Sequence, residues 1–185
     1  GTYIAWADRA LRDEINAGQI IGPRVQVAGF YLTIPGGGGD LVIPGYPESV
    51  IPAQVRMGVA RGPDEFRRKA ELAAAGGADF MKLIASGAVL AFGGKPGEPE
   101  MTPEEIAAVV EVARRHGMKV SAHAHGSRSI REAILSGANT IEHASLIDAT
   151  AIELARQHAV ALSMDVYNGD YIDKEGREQG WPKEF

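Results

Sequence analysis

The chain has no cysteine among its 185 residues. This absence excludes a disulfide framework, a thiolate nucleophile and a zinc site built on thiolates. Any metal ion in this protein must therefore be bound by nitrogen and oxygen ligands. The hydrophobic share of 45% is nevertheless ample for one domain with a buried core.

The sequence also lacks a cluster of basic and aromatic residues and any long apolar segment. Its formal net charge is −5, from 24 acidic and 19 basic residues, which disfavours a nucleic-acid partner. No apolar run approaches the roughly 18 to 20 residues of a membrane span, and the N-terminus has no signal pattern. We expect neither a nucleic-acid nor a membrane partner and a cytoplasmic location. Because the chain starts without methionine, we expect a fragment; a preceding signal peptide would make it periplasmic or secreted.

What the sequence does contain is a regular alternation of helical and strand-like patterns. The clearest helix start is at Thr102, because Thr102 and Glu105 have the spacing of a capping box. Short apolar runs predict five strands, at about 24–29, 79–85, 119–125, 140–143 and 160–164. Strands joined by single helices run parallel with right-handed crossovers. The pattern therefore predicts an α/β fold with a parallel sheet.

Two architectures fit this pattern, an open doubly wound sheet and a (β/α)8 barrel. The glycines at 36–39 do not form a dinucleotide-binding fingerprint, because no helix follows them promptly. Segment 93–96 likewise lacks the spacing and the hydroxyl residue of a P-loop. The barrel is favoured, and since complete barrels take about 250 residues, residues 1–185 would form a partial barrel with roughly strands three to seven. Loops 31–62 and 86–101 follow strands and would lie on the catalytic face.

Histidines stand at the ends of two predicted strands. In a strand alternate side chains share a face, so Ser121, His123 and His125 would point into the barrel while the alanines between them pack on helices. His143 ends the next strand. Because active sites of barrels lie at the carboxyl ends of the strands, these histidines predict a metal site. Two other histidines lie in the last turns of helices and receive no chemical role.

Lys82 lies inside a strand-like run in which neither face is polar enough to be solvated. An unpaired ammonium buried there would cost several kcal/mol, so its charge must be neutralised. An ion pair with a carboxylate is one solution, and a Schiff-base lysine is another. In a third, the neutral amine reacts with carbon dioxide and becomes an anionic carbamate that can bridge two metal ions. The residues alone leave these alternatives open.

Three segments carry a resemblance to a known family: ADFMKLIASG at 78–87, VSAHAHG at 120–126 and TIEHAS at 140–145. In this order they resemble the amidohydrolase superfamily, specifically the branch of imidazolonepropionase-like enzymes and Xaa-Pro dipeptidases (prolidases). The resemblance extends from the first helix to the strand ending near 164. It implies a metal-dependent hydrolase with a (β/α)8 barrel, acting on a small-molecule or dipeptide substrate.

Carried over to this sequence, the resemblance implies that Lys82 is a catalytic, carboxylated lysine and a bridging metal ligand, and that His123 and His143 also bind metal. The expected cofactor is zinc, as one or two divalent ions. His125 and Asp40 are expected to bind substrate, although relatives often have a histidine in that loop where this chain has Gly38. The implied reaction is cleavage of a C–N bond in a dipeptide or N-acyl amino acid by a metal-activated water.

Some residues that the superfamily uses have no counterpart here. The His-x-His pair of the first barrel strand and the aspartate of the eighth would both fall outside the chain, so the chain alone is expected to be inactive. Two alternatives stay open: a barrel enzyme that uses Lys82 as a Schiff-base nucleophile, and a non-catalytic incomplete barrel. Missing strands would leave sheet edges unpaired, so we expect a homo-oligomer.

Overall fold

The computed structural model describes residues 4–92, 94–165 and 168–181. Within them, helices and strands alternate from β1 onward. The helices are α1 (Ala7–Asn16), α2 (Pro63–Ala75), α3 (Pro103–Arg115), α4 (Ser127–Leu135), α5 (Ala149–Gln157) and α6 (Asn168–Gln179). The strands are β1 (Tyr31–Leu32), β2 (Phe80–Ile84), β3 (Lys119–Gly126), β4 (Thr140–Leu146) and β5 (Ala161–Met164). Two short 3-10 helices, Glu48–Val50 and Ala53–Arg56, lie in the loop after β1.

The strands form one sheet in the order β1-β2-β3-β4-β5, and every neighbouring pair is parallel. This order confirms the predicted parallel α/β arrangement, in which each strand pairs with the next one along the chain. The register places Lys82 of β2 beside Ser121 of β3, and Ser121 beside Thr140 of β4. One layer further toward the carboxyl edge, His123 lies beside Glu142.

The first strand is not where the sequence predicts it. Residues 24–29 form no strand, and β1 begins at Tyr31, inside the segment that the sequence assigns to a loop. The reason is the side chain of Asp79: its Oδ2 accepts a hydrogen bond from Val27 N at 2.8 Å, while Asp79 N donates to Val27 O at 2.7 Å. Gly29, at φ +77°, then turns the chain, so that pairing with β2 starts only at Tyr31.

Helices cover one face of the sheet and form the core with it. Along β3, Val120, Ala122 and Ala124 are at most 1% exposed and belong to this core. Met81 and Leu83 of β2 are equally buried and belong to the same core. The largest buried side chains contributed by the helices are Phe66, Ile106, Val109, Val112, Ile130 and Ile134. The opposite face of β2 and β3 is therefore left for the polar side chains between these apolar ones.

The predicted capping box at the start of α3 is present. Thr102 Oγ1 accepts a hydrogen bond from Glu105 N at 3.3 Å, and Glu105 Oε2 accepts one from Thr102 N at 2.9 Å. The second carboxylate oxygen of Glu105 accepts a hydrogen bond from Gly62 N at 2.8 Å, directly before α2. The cap thus joins the starts of two neighbouring helices as well as stabilising α3.

The long loops that follow β1 and β2 contact each other. Glu100, near the end of loop 86–101, accepts a hydrogen bond from Gly38 N of loop 31–62 at 2.9 Å. Burial raises the pKa of the Glu100 carboxyl, although the hydrogen bond from Gly38 opposes this effect. Across the described ranges, no helix combines the length and the apolar character needed to cross a bilayer.

Candidate functional site

Lys82 lies in the middle of β2 and projects from the face opposite the helices. Its Nζ lies 3.4 Å from Ser121 Oγ, and within the described part of the chain no carboxylate oxygen comes within 4.0 Å of it. Burial lowers the pKa of the Lys82 ammonium to about 8, against the opposing charges of Glu142 and Asp165. Lys82 is thus an amine with a hydroxyl neighbour and not a member of a direct ion pair.

His123 follows Ser121 on the same face of β3 and is 6% exposed. Its Nε2 lies 3.3 Å from the carbonyl oxygen of Gly87, which fixes the orientation of the ring. Burial, together with the neighbouring His125 and His143, lowers the pKa of His123 to about 3. The ring is therefore neutral near pH 7, and when Nε2 donates to Gly87, Nδ1 has a lone pair available for a metal ion.

His143 reaches the site only because β4 is irregular. Regular alternation would place His143 on the same side as the fully buried Ile141, against the helices. His143 and Ala144 instead have φ values of 72° and 52°, and the register shifts between Ala124 and Gly126 of β3. This bulge turns the ring of His143 toward the other histidines. Its Nδ1 is hydrogen-bonded to Oδ2 of Asp165, which leaves Nε2 for a ligand.

The three histidines form one compact cluster. The ring centroid of His123 lies 4.5 Å from that of His125 and 4.6 Å from that of His143, and the last two are 5.0 Å apart. His125 Nδ1 lies 2.9 Å from Ser145 Oγ, and burial lowers the pKa of His125. The structure therefore brings His125 into direct contact with the two predicted metal ligands.

Glu142 and Asp165 contact the candidate site residues and were missed by the sequence reasoning. Glu142 Oε1 accepts hydrogen bonds from Ser121 Oγ at 2.9 Å and Thr140 Oγ1 at 2.7 Å. Burial alone would raise the pKa of Glu142, but these hydroxyl donors and the charge of Lys82 outweigh it and lower the pKa. Alternation along β4 could have identified Glu142, and the strand-end rule that selected the histidines applies equally to Asp165 after β5.

Asp40, the second predicted substrate-binding residue, lies elsewhere. Its side chain is 1% exposed, and its two oxygens accept hydrogen bonds from Arg56 Nε at 2.8 Å and Arg56 Nη2 at 2.7 Å. Oδ2 also accepts one from Gly36 N at 2.9 Å. The carboxylate is fully occupied by its own loop and is absent from the lining of the cleft. These contacts favour a structural role for Asp40, and its substrate-binding role stays a prediction.

The histidines and Lys82 line a cleft of about 1220 Å³ at the carboxyl edge of the sheet. Apolar side chains form much of its wall, among them Val89, Leu90, Met164 and Trp181. Gly38 lies at the cleft, and a Cβ there would come within 2.8 Å of Ala88 N. Any other residue at this position would therefore require the backbone of Ala88 to shift.

The donor set fits part of a transition-metal site. Two imidazoles, those of His123 and His143, each have one nitrogen hydrogen-bonded to the protein and the other available, as is usual for histidine ligands. Among the described residues, however, no three side chains of the His, Cys, Asp and Glu types are arranged so that they could hold a metal ion together. These residues alone therefore supply two nitrogen ligands beside a buried lysine, and not a closed metal site.

Comparison with solved structures identifies the architecture. A Xaa-Pro dipeptidase crystallised with methionine in its active site superposes with a TM-score of 0.87 at 29% identity, over 98% of this chain and 45% of that one. A prolidase bound to N-methylphosphonate-L-proline gives the same TM-score and coverage at 30% identity. These neighbours are (β/α)8-barrel amidohydrolases, which confirms that the five strands are part of such a barrel.

Among curated proteins, ochratoxinase of Aspergillus niger is 33% identical over 157 residues, which cover 79% of this chain and 33% of that protein. The chain thus spans less than half the length of these relatives. The family model of the amidohydrolases matches residues 1–183. This match confirms the resemblance seen in the three sequence motifs: the chain belongs to the amidohydrolase family.

Proposed function

We propose that the protein is a metal-dependent hydrolase that cleaves the amide or peptide C–N bond of a dipeptide or an N-acyl amino acid. Members of the family are generally metal-dependent. The observation that carries the proposal is the meeting of Lys82, His123 and His143 in one cleft, with Lys82 lacking a carboxylate within 4.0 Å in the described part of the chain. The chain spans less than half the length of its relatives. The activity is therefore proposed for the protein as it occurs in the cell.

Lys82 is proposed to carry a carbamate. With a pKa of about 8, roughly a tenth of Lys82 is the neutral amine at pH 7. In the reaction, Nζ attacks the carbon of carbon dioxide, an N–C bond forms, one C=O electron pair moves to oxygen, and a proton leaves Nζ for water. The product is an anion with two oxygen ligands, which converts a costly buried cation into a group that binds metal.

His123 and His143 are proposed to bind zinc, as one or two ions together with the carbamate. Gly87 and Asp165 hold their other nitrogens, so the rings are oriented before any ligand enters. A bound zinc ion would lower the pKa of a water ligand to about 7 and polarise the carbonyl of the scissile bond. The ligands that the resemblance places on the first and eighth strands are not part of this sequence.

His125 is proposed to contact the substrate, because it adjoins both proposed ligands and lines the cleft. The neighbouring Val89, Leu90 and Met164 favour an apolar substituent beside the scissile amide. The names of the relatives, Xaa-Pro dipeptidase, prolidase and ochratoxinase, support a substrate with an amide or peptide bond.

The experiment measures zinc content and hydrolysis of a panel of dipeptides and N-acyl amino acids by the natural protein. We expect a chelator to abolish hydrolysis and added zinc to restore it. His143→Ala should lose metal, whereas His158→Ala, on an exposed helix end, should not. Undiminished hydrolysis after complete removal of metal would refute the proposal.

A Schiff-base enzyme is the competing function, because the low pKa of Lys82 would also suit a nucleophilic amine. It predicts irreversible inactivation when borohydride is added with a carbonyl substrate. The metal-dependent proposal predicts no borohydride-dependent adduct on Lys82 by peptide mass spectrometry.

The oligomeric state remains a prediction. In the described sheet β1 and β5 each have one strand neighbour, so both edges need cover from further chain or from another copy. We propose a homo-oligomer, which light scattering on the natural protein would test; a monomer would contradict it.

A further inference from the structure

Three polar side chains next to the histidine cluster, Lys82, Ser121 and Glu142, are linked across neighbouring strands. Lys82 Nζ of β2 lies 3.4 Å from Ser121 Oγ of β3, and Ser121 Oγ lies 2.9 Å from Glu142 Oε1 of β4. The strand register makes Lys82 and Ser121 direct neighbours. Ser121 is 9% exposed, so water has little access to compete for its hydroxyl group.

The direction of these hydrogen bonds follows from what each group can donate. A carboxylate oxygen accepts hydrogen bonds, and Glu142 Oε1 lies within hydrogen-bond distance of two hydroxyl groups. Its Oε1 therefore takes the single hydroxyl hydrogen of Ser121, as it takes that of Thr140. Ser121 Oγ is left with lone pairs only, and these must accept from an N–H of Lys82.

The hydrogen bond from Lys82 Nζ to Ser121 can persist when Lys82 becomes a carbamate, as the proposed function requires. An ammonium, a neutral amine and a carbamate all keep at least one N–H on Nζ, so each can donate to Ser121. Ser121 is the one hydrogen-bond partner of Nζ among the described residues. With its N–H directed to Ser121, Nζ must place any new substituent elsewhere, and Lys82 faces the cleft that His123 and His143 also line.

We propose that Ser121, held by Glu142, is a positioning residue that directs the amine of Lys82 so that the carbamate forms toward the histidines. The inference rests on the proposed function, because it requires that Lys82 be carboxylated. Glu142 acts indirectly. It orients the hydroxyl of Ser121, and its own carboxylate does not lie within 4.0 Å of Nζ.

The test measures carbamate formation in the natural protein by ¹³C NMR, with ¹³C-labelled bicarbonate as the probe. Ser121→Ala removes the acceptor and frees Nζ to turn among three staggered orientations, of which one directs the carbamate to the histidines, so the bicarbonate concentration for half-maximal signal should rise about threefold. Ser121→Thr keeps the hydroxyl group and should restore the affinity for bicarbonate. Thr140→Val is the matched control, since it deletes another hydroxyl donor to Glu142 without touching Lys82.

The outcomes separate the two proposals. No carbamate signal in the unaltered protein would overturn the proposed role of Lys82 and this inference with it. A clear signal with the same bicarbonate dependence in Ser121→Ala would overturn the inference alone. An equal loss in Thr140→Val and Ser121→Ala would also overturn it, because the effect would then come from Glu142 and not from the Ser121 contact. Excess bicarbonate should restore the zinc content and kcat of Ser121→Ala to those of the unaltered protein, which a general folding defect would not allow.

Discussion

The structural role of Asp40 makes a quantitative prediction, because its carboxylate is enclosed by three donors. Two come from Arg56 and one from Gly36 N, and the side chain of Asp40 is 1% exposed against 19% for that of Arg56. Asp40→Asn keeps the shape of the side chain but replaces one acceptor oxygen with an NH2 group, which then faces the guanidinium of Arg56. Breaking a buried ion pair costs about 3–5 kcal/mol. Since Arg56 keeps some solvent contact and a second partner, we expect the lower end, about 3 kcal/mol.

Glu48 offers the matched control. It pairs with the same arginine through Nη1 at 2.7 Å, but its side chain is 74% exposed. Exposed ion pairs contribute little, so Glu48→Gln should leave stability almost unchanged. With a urea m value of about 1–3 kcal/mol/M, Asp40→Asn should lower the unfolding midpoint by about 1–3 M at unchanged m.

The assay is urea unfolding of the natural protein and both variants, followed by circular dichroism, together with KM for the best substrate. The reasoning predicts a large loss of stability and an unchanged KM for Asp40→Asn under folded conditions. Unaltered stability with a strongly raised KM would refute it and would support Asp40 as a substrate-binding residue. Equal destabilisation by Glu48→Gln would show that burial does not decide the strength of these pairs.

Three further predictions concern the loops and helix α3. Burial raises the pKa of Glu100 in the folded protein, so its contribution to stability is full below the unfolded pKa and is lost as pH rises through the folded one. In urea unfolding, Glu100→Gln should therefore be more stable than the parent at pH 8 but not at pH 4. The same difference in the free energy of unfolding at both pH values would contradict this. Thr102→Ala should cost about 1 kcal/mol by calorimetry, since it removes the hydroxyl that caps α3; an unchanged Tm would count against the capping box. Gly87→Ala should lower zinc content, because a Cβ would lie 2.1 Å from Lys95 O and displace the carbonyl that orients His123; Gly169→Ala, with open space around its Cβ, should bind zinc like the parent.

Much of the fold could be predicted from the sequence, because the signals are local. Thr102 and Glu105 lie within one helical turn, so the capping box is visible as spacing and appears as predicted. The alternation of Ser121 and His123 with alanines likewise shows which face of β3 is polar. Three such segments in order also sufficed to identify the family, which the family match over residues 1–183 confirms.

The differences from the prediction arise where a distant residue decides the local structure. Segment 24–29 has the composition of a strand, but Asp79 takes its backbone hydrogen bonds and β1 starts later. Asp40 looks available in a glycine-rich loop, yet Arg56 folds back onto it. Neither partner could be chosen from the sequence, since many acidic and basic residues compete for each such pairing.

For the site, the sequence by itself placed Lys82 inside one strand and His123 and His143 near the carboxyl ends of the next two predicted strands. Only the tertiary structure decided how they meet. Regular alternation would have sent His143 to the helix side, and the left-handed backbone of His143 and Ala144 reverses that direction. The structure also gave Lys82 a hydroxyl partner in place of a carboxylate. The physical reason is the same in both cases: periodicity sets the face of a side chain, whereas its partners depend on strand register and bulges, which form only when the sheet assembles.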